Sequence, residues 1–400
     1  GKPMKHGKKY VDGAKLVDRA KLYDPQEVLK SAKIGNNTIR GTVKGEPGHR
    51  TLFVRVKEGE LEWWRAVDIE VIDPFELTYD PEDSLLSFRI RNQLHREANL
   101  KIRVNGELLE SEYVLSAGAL SPRFDVPAGI ARFGTNRVEL LQNNEILLAT
   151  SIVNWNLKNK KQVYETIPMD SYMNASVHQV FTNEYLSPRP PFTTLQIPKQ
   201  GIGEWCHPSL TAAIDDSGLR KASRGGIFET PFGIPFRTPS DDAANIAFTS
   251  LWDNYPSAIT IPLAGKASHV YLLMAGSTNH MQVHVPNGEV MVTYRDGSVS
   301  RLELRNPETW VPIEQDLFVD DHAFKLSQPR PYRVALKTGK VSRTFDDEVP
   351  VEEVYGRSID GGAGIILDLP LDKNKELEDI VLKTIANEVV IGLMSVTLVR

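Results

Sequence analysis

The chain has 400 residues, 41% of them hydrophobic and 25% charged, with a formal net charge of −5 and a pI near 6.1. That length exceeds one comfortable core and predicts two principal domains. The charge balance gives no electrostatic case for nucleic acid or an anionic membrane. No apolar run reaches the roughly 20 residues of a transmembrane helix, so neither nucleic acid nor a membrane span is expected.

Cys206 is the one cysteine, which excludes an internal disulfide framework and any multi-cysteine metal site. A single thiol suits a cytoplasmic protein and equally a secreted bacterial protein that avoids thiols. The opening, GKPMKHGKKYVDG, is lysine-rich and lacks the apolar stretch of a signal peptide. Either a signal has been removed or the chain belongs to something longer.

In chain order, residues 1–33 read as a connector. LYDPQEVLKSAK (22–33) offers Asp24 as N-cap, Pro25 at the first helical position and Glu27 close behind, which predicts a short helix. From Ile34 the apolar period becomes two. SLLSFRIRN sets Leu86, Phe88 and Ile90 against Ser87, Arg89 and Arg91, and NLKIRVNGE sets Leu100, Ile102 and Val104 against Lys101 and Arg103 before an Asn-Gly turn. NRVELLQNNEILLATSIVNW reads as a hairpin turning at Asn143-Asn144. With RTLFVRV and VDIEVIDPFELTY, about seven short strands over 34–158 predict an Ig-like β-sandwich.

Residues 159–400 predict a second, larger β-sandwich of jelly-roll type, so the fold class is all-β with one short N-terminal helix. MDSYMNASVHQVFTN leads into it with a short helix capped by Asn174, and SPRPPF (187–192) is extended. SAITIPL, SHVYLLMA, HMQVHV, EVMVTY and VSRLEL follow with turns at AGKA, VPNG and RDGS. GIILDLPL and EDIVLKTIANEVVIGLMSVTLVR supply the closing strands. No repeat of solenoid or propeller length is present.

HMQVHV places His280 and His284 four residues apart. On a helix they would share one face; on a strand they are about 13 Å apart at ~3.3 Å per residue, too far to hold one ion at ~2 Å. The strand reading gives a polar face instead of a metal site. His280, at the strand entry, is kept as a ligand-contact candidate.

Three tryptophans sit beside acids or amides: Trp205 in GIGEWCHP, Trp252 with Asp253 and Tyr255 in TSLWDNYP, and Trp310 in NPETWVPIEQD. A flat ring next to fixed hydrogen-bonding groups suits a sugar, whose C–H face stacks while its hydroxyls are bonded. The bland alternative is that these rings plug sandwich ends. Carboxylates pair at Asp215-Asp216, Asp241-Asp242, Asp320-Asp321 and Glu314/Asp316. A glycosidase needs two carboxyls about 5–10 Å apart across a sugar, whereas AIDDSGLR and FVDDHAF read as turns that use Asp for backbone bonding. Nucleophile-elbow, zincin, P-loop and dinucleotide fingerprints are missing, and the glycine run IDGGAGI has no helix behind it. Neither a metal nor a cofactor is expected, and no catalytic residue is assigned.

SPRPPFTTLQIPKQGIGEWCHP, FTSLWDNYP, LLMAGSTNHMQ, NPETWVPIEQD, IDGGAGIILDLPLD and VVIGLMSVTLVR together resemble a family of uncharacterised β-sandwich proteins from polysaccharide-degrading gut anaerobes. The likeness covers most of the chain and is strongest from about Tyr164 to the end. GHRTLFVRVKEGELEWW is similar to β-sandwich segments that accompany large glycoside hydrolases. The resemblance implies a secreted or periplasmic protein, oligo- or polysaccharide as partner, and a place beside an upstream catalytic domain.

Three functions fit: a non-catalytic glycan-binding or supporting module, a glycan-active enzyme using carboxylates near Trp205, Trp252 and Trp310, and a structural spacer. The first is favoured, with Trp205, Trp252, Asp253, Tyr255, Trp310 and His280 as the binding candidates.

Overall fold

The computed structural model describes residues 33–35, 38–40, 47–157, 162–181, 213–251, 254–278, 282–316, 325–345, 357–387 and 389–400. The helix expected over 22–33 lies outside them except for Lys33, which opens a strand, and so does the proline run at 187–192. The chain divides into two compact units, Gly1–Glu76 and Leu77–Arg400. In the first, β1 (Lys33–Gly35) pairs antiparallel with β2 (Thr38–Arg40), and β3 (Gly48–Glu58) with β4 (Leu61–Val71). RTLFVRV and the start of VDIEVI therefore form a two-stranded sheet of their own.

The Ig-like sandwich is built from seven further strands: β5 (Phe75–Tyr79), β6 (Ser87–Asn92), β7 (Ala98–Val104), β8 (Glu107–Leu115), β9 (Phe124–Asp125), β10 (Gly134–Gln142) and β11 (Glu145–Asn154). They make a sheet ordered β5-β6-β9 and another ordered β11-β10-β7-β8. The alternation read from sequence is the physical cause. Phe88, Ile90, Leu100, Ile102 and Val104 are all buried to 1% exposure or less, while Arg89, Arg91 and Lys101 face out. Each buried side chain of this size contributes roughly 1.5–3 kcal/mol. Asn105-Gly106 (φ 51° and 80°) and Asn143-Asn144 (φ 52° and 65°) hold the left-handed pairs that tight hairpins need.

The remaining strands are β12 (Tyr164–Thr166), β13 (Ile227–Glu229), β14 (Pro235–Arg237), β15 (Ala247–Ser250), β16 (Ala258–Pro262), β17 (His269–Thr278), β18 (Pro286–Tyr294) and β19 (Val299–Arg305). After them come β20 (Gln315–Asp316), β21 (Arg333–Ala335), β22 (Val341–Ser342), β23 (Arg357–Ser358), β24 (Ala363–Pro370), β25 (Leu377–Thr384) and β26 (Val389–Val399). One short helix, α1 (Ser217–Ala222), precedes β13.

The pairing is nested: β15 with β26, β16 with β25, β17 with β24 and β18 with β19, all antiparallel. Successive pairs go to opposite sheets, giving β15-β26-β17-β24 on one side and β16-β25-β18-β19 on the other. This is a ribbon rolled into a jelly roll. Val270, Leu272, Met274, Val290, Val292, Ile380, Leu382, Ile391 and Leu393 fill the space between the sheets. β17 and β26 are buried along their whole length on both faces, which is why they read as continuous apolar runs.

Two local expectations are corrected. Asn174 does not cap a helix: its side chain donates to Phe248 O and accepts from Phe248 N, holding β15, and the one-turn helix Val177–Gln179 starts instead at Ser176. The described part of HMQVHV, residues 282–285, is not a strand, and VPNG is not a turn. His284 has φ 55°, Asn287 Nδ2 donates to Gln282 O and Val285 O, and β18 begins at Pro286 inside the supposed turn. A buried amide that binds two loop carbonyls outweighs three residues of alternation.

The two sandwiches meet through a buried joint. Asp368 of β24 accepts Thr135 N at 2.7 Å and Thr135 Oγ1 at 2.9 Å from β10, and His269 Nε2 lies 2.6 Å from its Oδ2. An ionised carboxylate only accepts, so Nε2 carries the proton. Tyr271 Oη donates to Phe133 O at 2.8 Å. Burial and the Asp368 charge push the Tyr271 phenol well above its ordinary value. Phe133, Trp155, Phe232 and Tyr332 pack ring to ring around these bonds, with centroids 4.5–6.4 Å apart. Glu82 pairs with Arg343 at 2.9 Å at the margin.

Gly276 of β17 marks where packing is tightest. A Cβ there would lie 2.1 Å from Val390 O and 2.9 Å from the Trp310 ring. Gly276→Ala is therefore expected to lower stability by about 1–3 kcal/mol or more, read as a lower midpoint in urea unfolding; an unchanged midpoint contradicts this packing.

Candidate functional site

A buried carboxyl with a strongly raised pKa, Glu314, lies in the long excursion between β19 and β24. Its placement follows from the sheet. The β17–β24 ladder ends at Met274↔Ile365. There the segment 312–314 wedges in: Ile313 N donates to Gly276 O, and Ala363 N donates to Ile313 O, both at 2.8 Å. The wedge carries Glu314 into the interior, where it is fully buried. Burial pushes its carboxyl up to about 8, against the smaller lowering effects of a backbone hydrogen bond and the Arg333 charge. Glu314 therefore keeps its proton at neutral pH.

Asp316, two residues on, has different surroundings. It is buried and ion-paired to Arg330 at 3.0 Å. Arg333 spreads its guanidinium over main-chain oxygens, donating to Pro312 O at 2.9 Å, Ala363 O at 3.0 Å and also Gln315 O. Arg343 rests over the Tyr332 ring, 5.7 Å from its centroid. Asp316, Arg330, Arg333 and Arg343 border a cavity of about 20 Å³, room for a single water.

A carboxyl that keeps its proton at neutral pH is a group acid–base chemistry can use. Here it has no solvent exposure, and the adjoining cavity takes no sugar ring. The arrangement stores a proton and anchors the excursion to the sheet.

Of the residues singled out in the sequence, Trp205, Trp252, Asp253 and His280 lie outside the described residues, as do Cys206 and Asp320-Asp321. Tyr255 is 9% exposed with its ring tilted against Phe248 at 5.2 Å. Trp310 has no exposed surface, and its indole N–H has no partner among the described residues. Neither ring offers a free face to a sugar. Topology nevertheless gathers the neighbourhoods of several candidates. Thr249 Oγ1 and Thr384 Oγ1 are 2.7 Å apart, Ile385 N and Ala386 N both donate to Asn287 O at 3.0 Å, and Ser250 and Ser277 both pair with Val390. The described flanks of 252–253 and 279–281 thus meet at one end of the jelly roll, with Trp310 packed over Gly276 nearby.

The other acidic pairs are structural. Asp215 Oδ1 accepts Ser217 N at 2.9 Å, and Asp216 Oδ2 accepts Arg220 Nε at 2.9 Å and Asn245 Nδ2 at 2.7 Å. Asp241 Oδ1 accepts Ala243 N. In IDGGAGI, Gly361 and Gly362 have φ 77° and 78° in the turn before β24. Among the described residues no group of three or more His, Cys, Asp or Glu is placed to hold a metal ion, and no helix is long and apolar enough to cross a membrane. Comparison with protein-family models and with curated proteins gives no match.

Glu314 makes a signed pH prediction. In the unfolded chain it ionises near its ordinary value of 4.5, while in the folded chain it holds its proton to about 8. Between those values the unfolded state binds fewer protons, so this group lowers stability as pH rises, by up to about 1.4 kcal/mol per pH unit. The stability of Glu314→Gln relative to wild type should therefore climb from pH 5 to pH 8 in denaturant titrations; a difference flat with pH contradicts the buried acid.

Proposed function

We propose that this chain is a non-catalytic supporting module of a carbohydrate-processing system, in which two fused sandwiches present the jelly-roll's loop end at a fixed distance and orientation. The joint at Asp368 carries the reading. Neighbouring domains move relative to one another unless their contact is extensive and apolar. Here a buried carboxylate is shared between β10, β17 and β24 inside an aromatic cluster. The carbohydrate context comes from the sequence resemblance, and with it a site of action outside the cytoplasm, polysaccharide as partner, and an accompanying catalytic domain.

One observation favours a second reading, a glycan-active enzyme. Glu314 holds a proton beside an ion-paired Asp316, the division of labour a glycosidase requires. Its complete burial weighs against it.

The test uses the intact chain on a panel of plant and host polysaccharides, scored for retarded migration in affinity gels and for new reducing ends. Retention on at least one polysaccharide without product is expected. Product release abolished by Glu314→Gln would establish the enzyme instead, and neither retention nor release would leave only a spacer. Calorimetry checks the fused joint. One transition is expected for residues 77–400 in the wild type, with Asp368→Ala separating the two sandwiches into two; two transitions already in the wild type would contradict rigid support.

A further inference from the structure

A second cavity, about 120 Å³ in volume, lies beside β12 and β14 at the edge of the larger sheet, away from Glu314. At about 30 Å³ per water it has space for several waters, far more than the cavity beside Asp316. Two turns and a strand exit form it. Tyr172 N and Met173 N both donate to Met169 O, closing one turn. Arg224 and Ile227 exchange backbone bonds at 2.8 and 3.2 Å, closing a hairpin whose central residues are Gly225 and Gly226, at φ 60° and 76°. A Cβ on Gly225 would meet nothing within 4 Å, and one on Gly226 only Thr238 O at 3.9 Å. Any side chain at this pair would therefore extend into free space, and its absence leaves the main chain bare for close approach.

Polar and apolar groups are both present on the wall. Asp170 Oδ2 and Arg237 Nη2 are 3.2 Å apart, both well exposed, while Met169 and Met173 supply thioether surface.

We propose that this cavity binds one neutral sugar residue. Its charged groups sum to zero, so an anion or a cation would meet one attractive and one repulsive partner. Adjacent hydroxyls of a neutral polyol satisfy both at once, one donating to the Asp170 carboxylate and the other accepting from the Arg237 guanidinium. The C–H face of the ring then lies on the methionine side, and the bare Gly225-Gly226 backbone admits the ring edge. The inference rests on the carbohydrate context proposed above and names where, and in what charge state, a sugar unit sits.

The experiment is isothermal titration of the full chain with neutral hexoses and pentoses, glucuronate and glucosamine, repeated with Asp170→Ala and Arg237→Ala. Both positions are exposed, and thermal melts verify that the variants fold. At least one neutral sugar should saturate the wild type and bind tenfold or more weakly to both Asp170→Ala and Arg237→Ala, with the charged sugars weaker throughout. Equal affinity in those two variants, preference for a charged sugar, or no saturable binding overturns the proposal. If the wild type and both variants are retained equally on polysaccharide, the cavity assignment falls while the supporting-module reading stands. If neither retention nor sugar binding occurs, both fall.

Discussion

The carboxylate of Asp368 is the constraint on which the second unit depends. Taking an ionised carboxylate out of water costs several kcal/mol unless its lone pairs are satisfied. Here they are met by the amide and hydroxyl of Thr135 in one sandwich and by His269 in the other. Neither sandwich can satisfy the group alone, so separating them would strand a buried charge. The same demand reaches the backbone. Gly134 sits at φ 95°, and a Cβ on it would come within 2.6 Å of Asp368 Oδ2 and 3.0 Å of the Trp155 ring. Main chain, ion and aromatic cluster are fitted to one another at this point.

The rolled ribbon of the jelly roll determines what else can be built on it. Because the pairs β15–β26, β16–β25, β17–β24 and β18–β19 are nested, strand ends far apart in sequence fall together. The innermost pair is joined by a tight turn at Asp296-Gly297, where Gly297 has φ 79°. The long excursion between β19 and β24 has no such short route. It is held by wedging Ile313 into the ladder beside Gly276, and the buried, protonated Glu314 follows from that insertion.

Much of this architecture was legible in the amino acids. Two-residue alternation picked out the buried faces Leu86/Phe88/Ile90 and Leu100/Ile102/Val104, and Asn-Gly and Asn-Asn marked the β7–β8 and β10–β11 hairpins, because half-buried strands and left-handed turns leave direct chemical signatures. What was not legible depends on distant partners. β9 has two residues, too few to display a period. HMQVHV alternates, yet Asn287 and the positive φ of His284 hold its latter half as a loop. Trp310 beside acids suggested a sugar platform, but exposure is settled by the close approach of β17 at Gly276, which local sequence does not encode. Glu314 was noted only as one half of a carboxylate pair. Asp368, in the middle of the apolar strand GIILDLPL, was the visible anomaly: a charge in a buried run needs partners, and they lie 233 residues away at Thr135.

The central claim is that the two sandwiches open only together. Residue-resolved hydrogen exchange at the Thr135 amide, which donates to Asp368 across the joint, tests it most directly. Protection of that amide equal to that of core amides in β17 and β26 is the predicted result. Exchange orders of magnitude faster than the β17 core, at the level of an exposed loop, would contradict it.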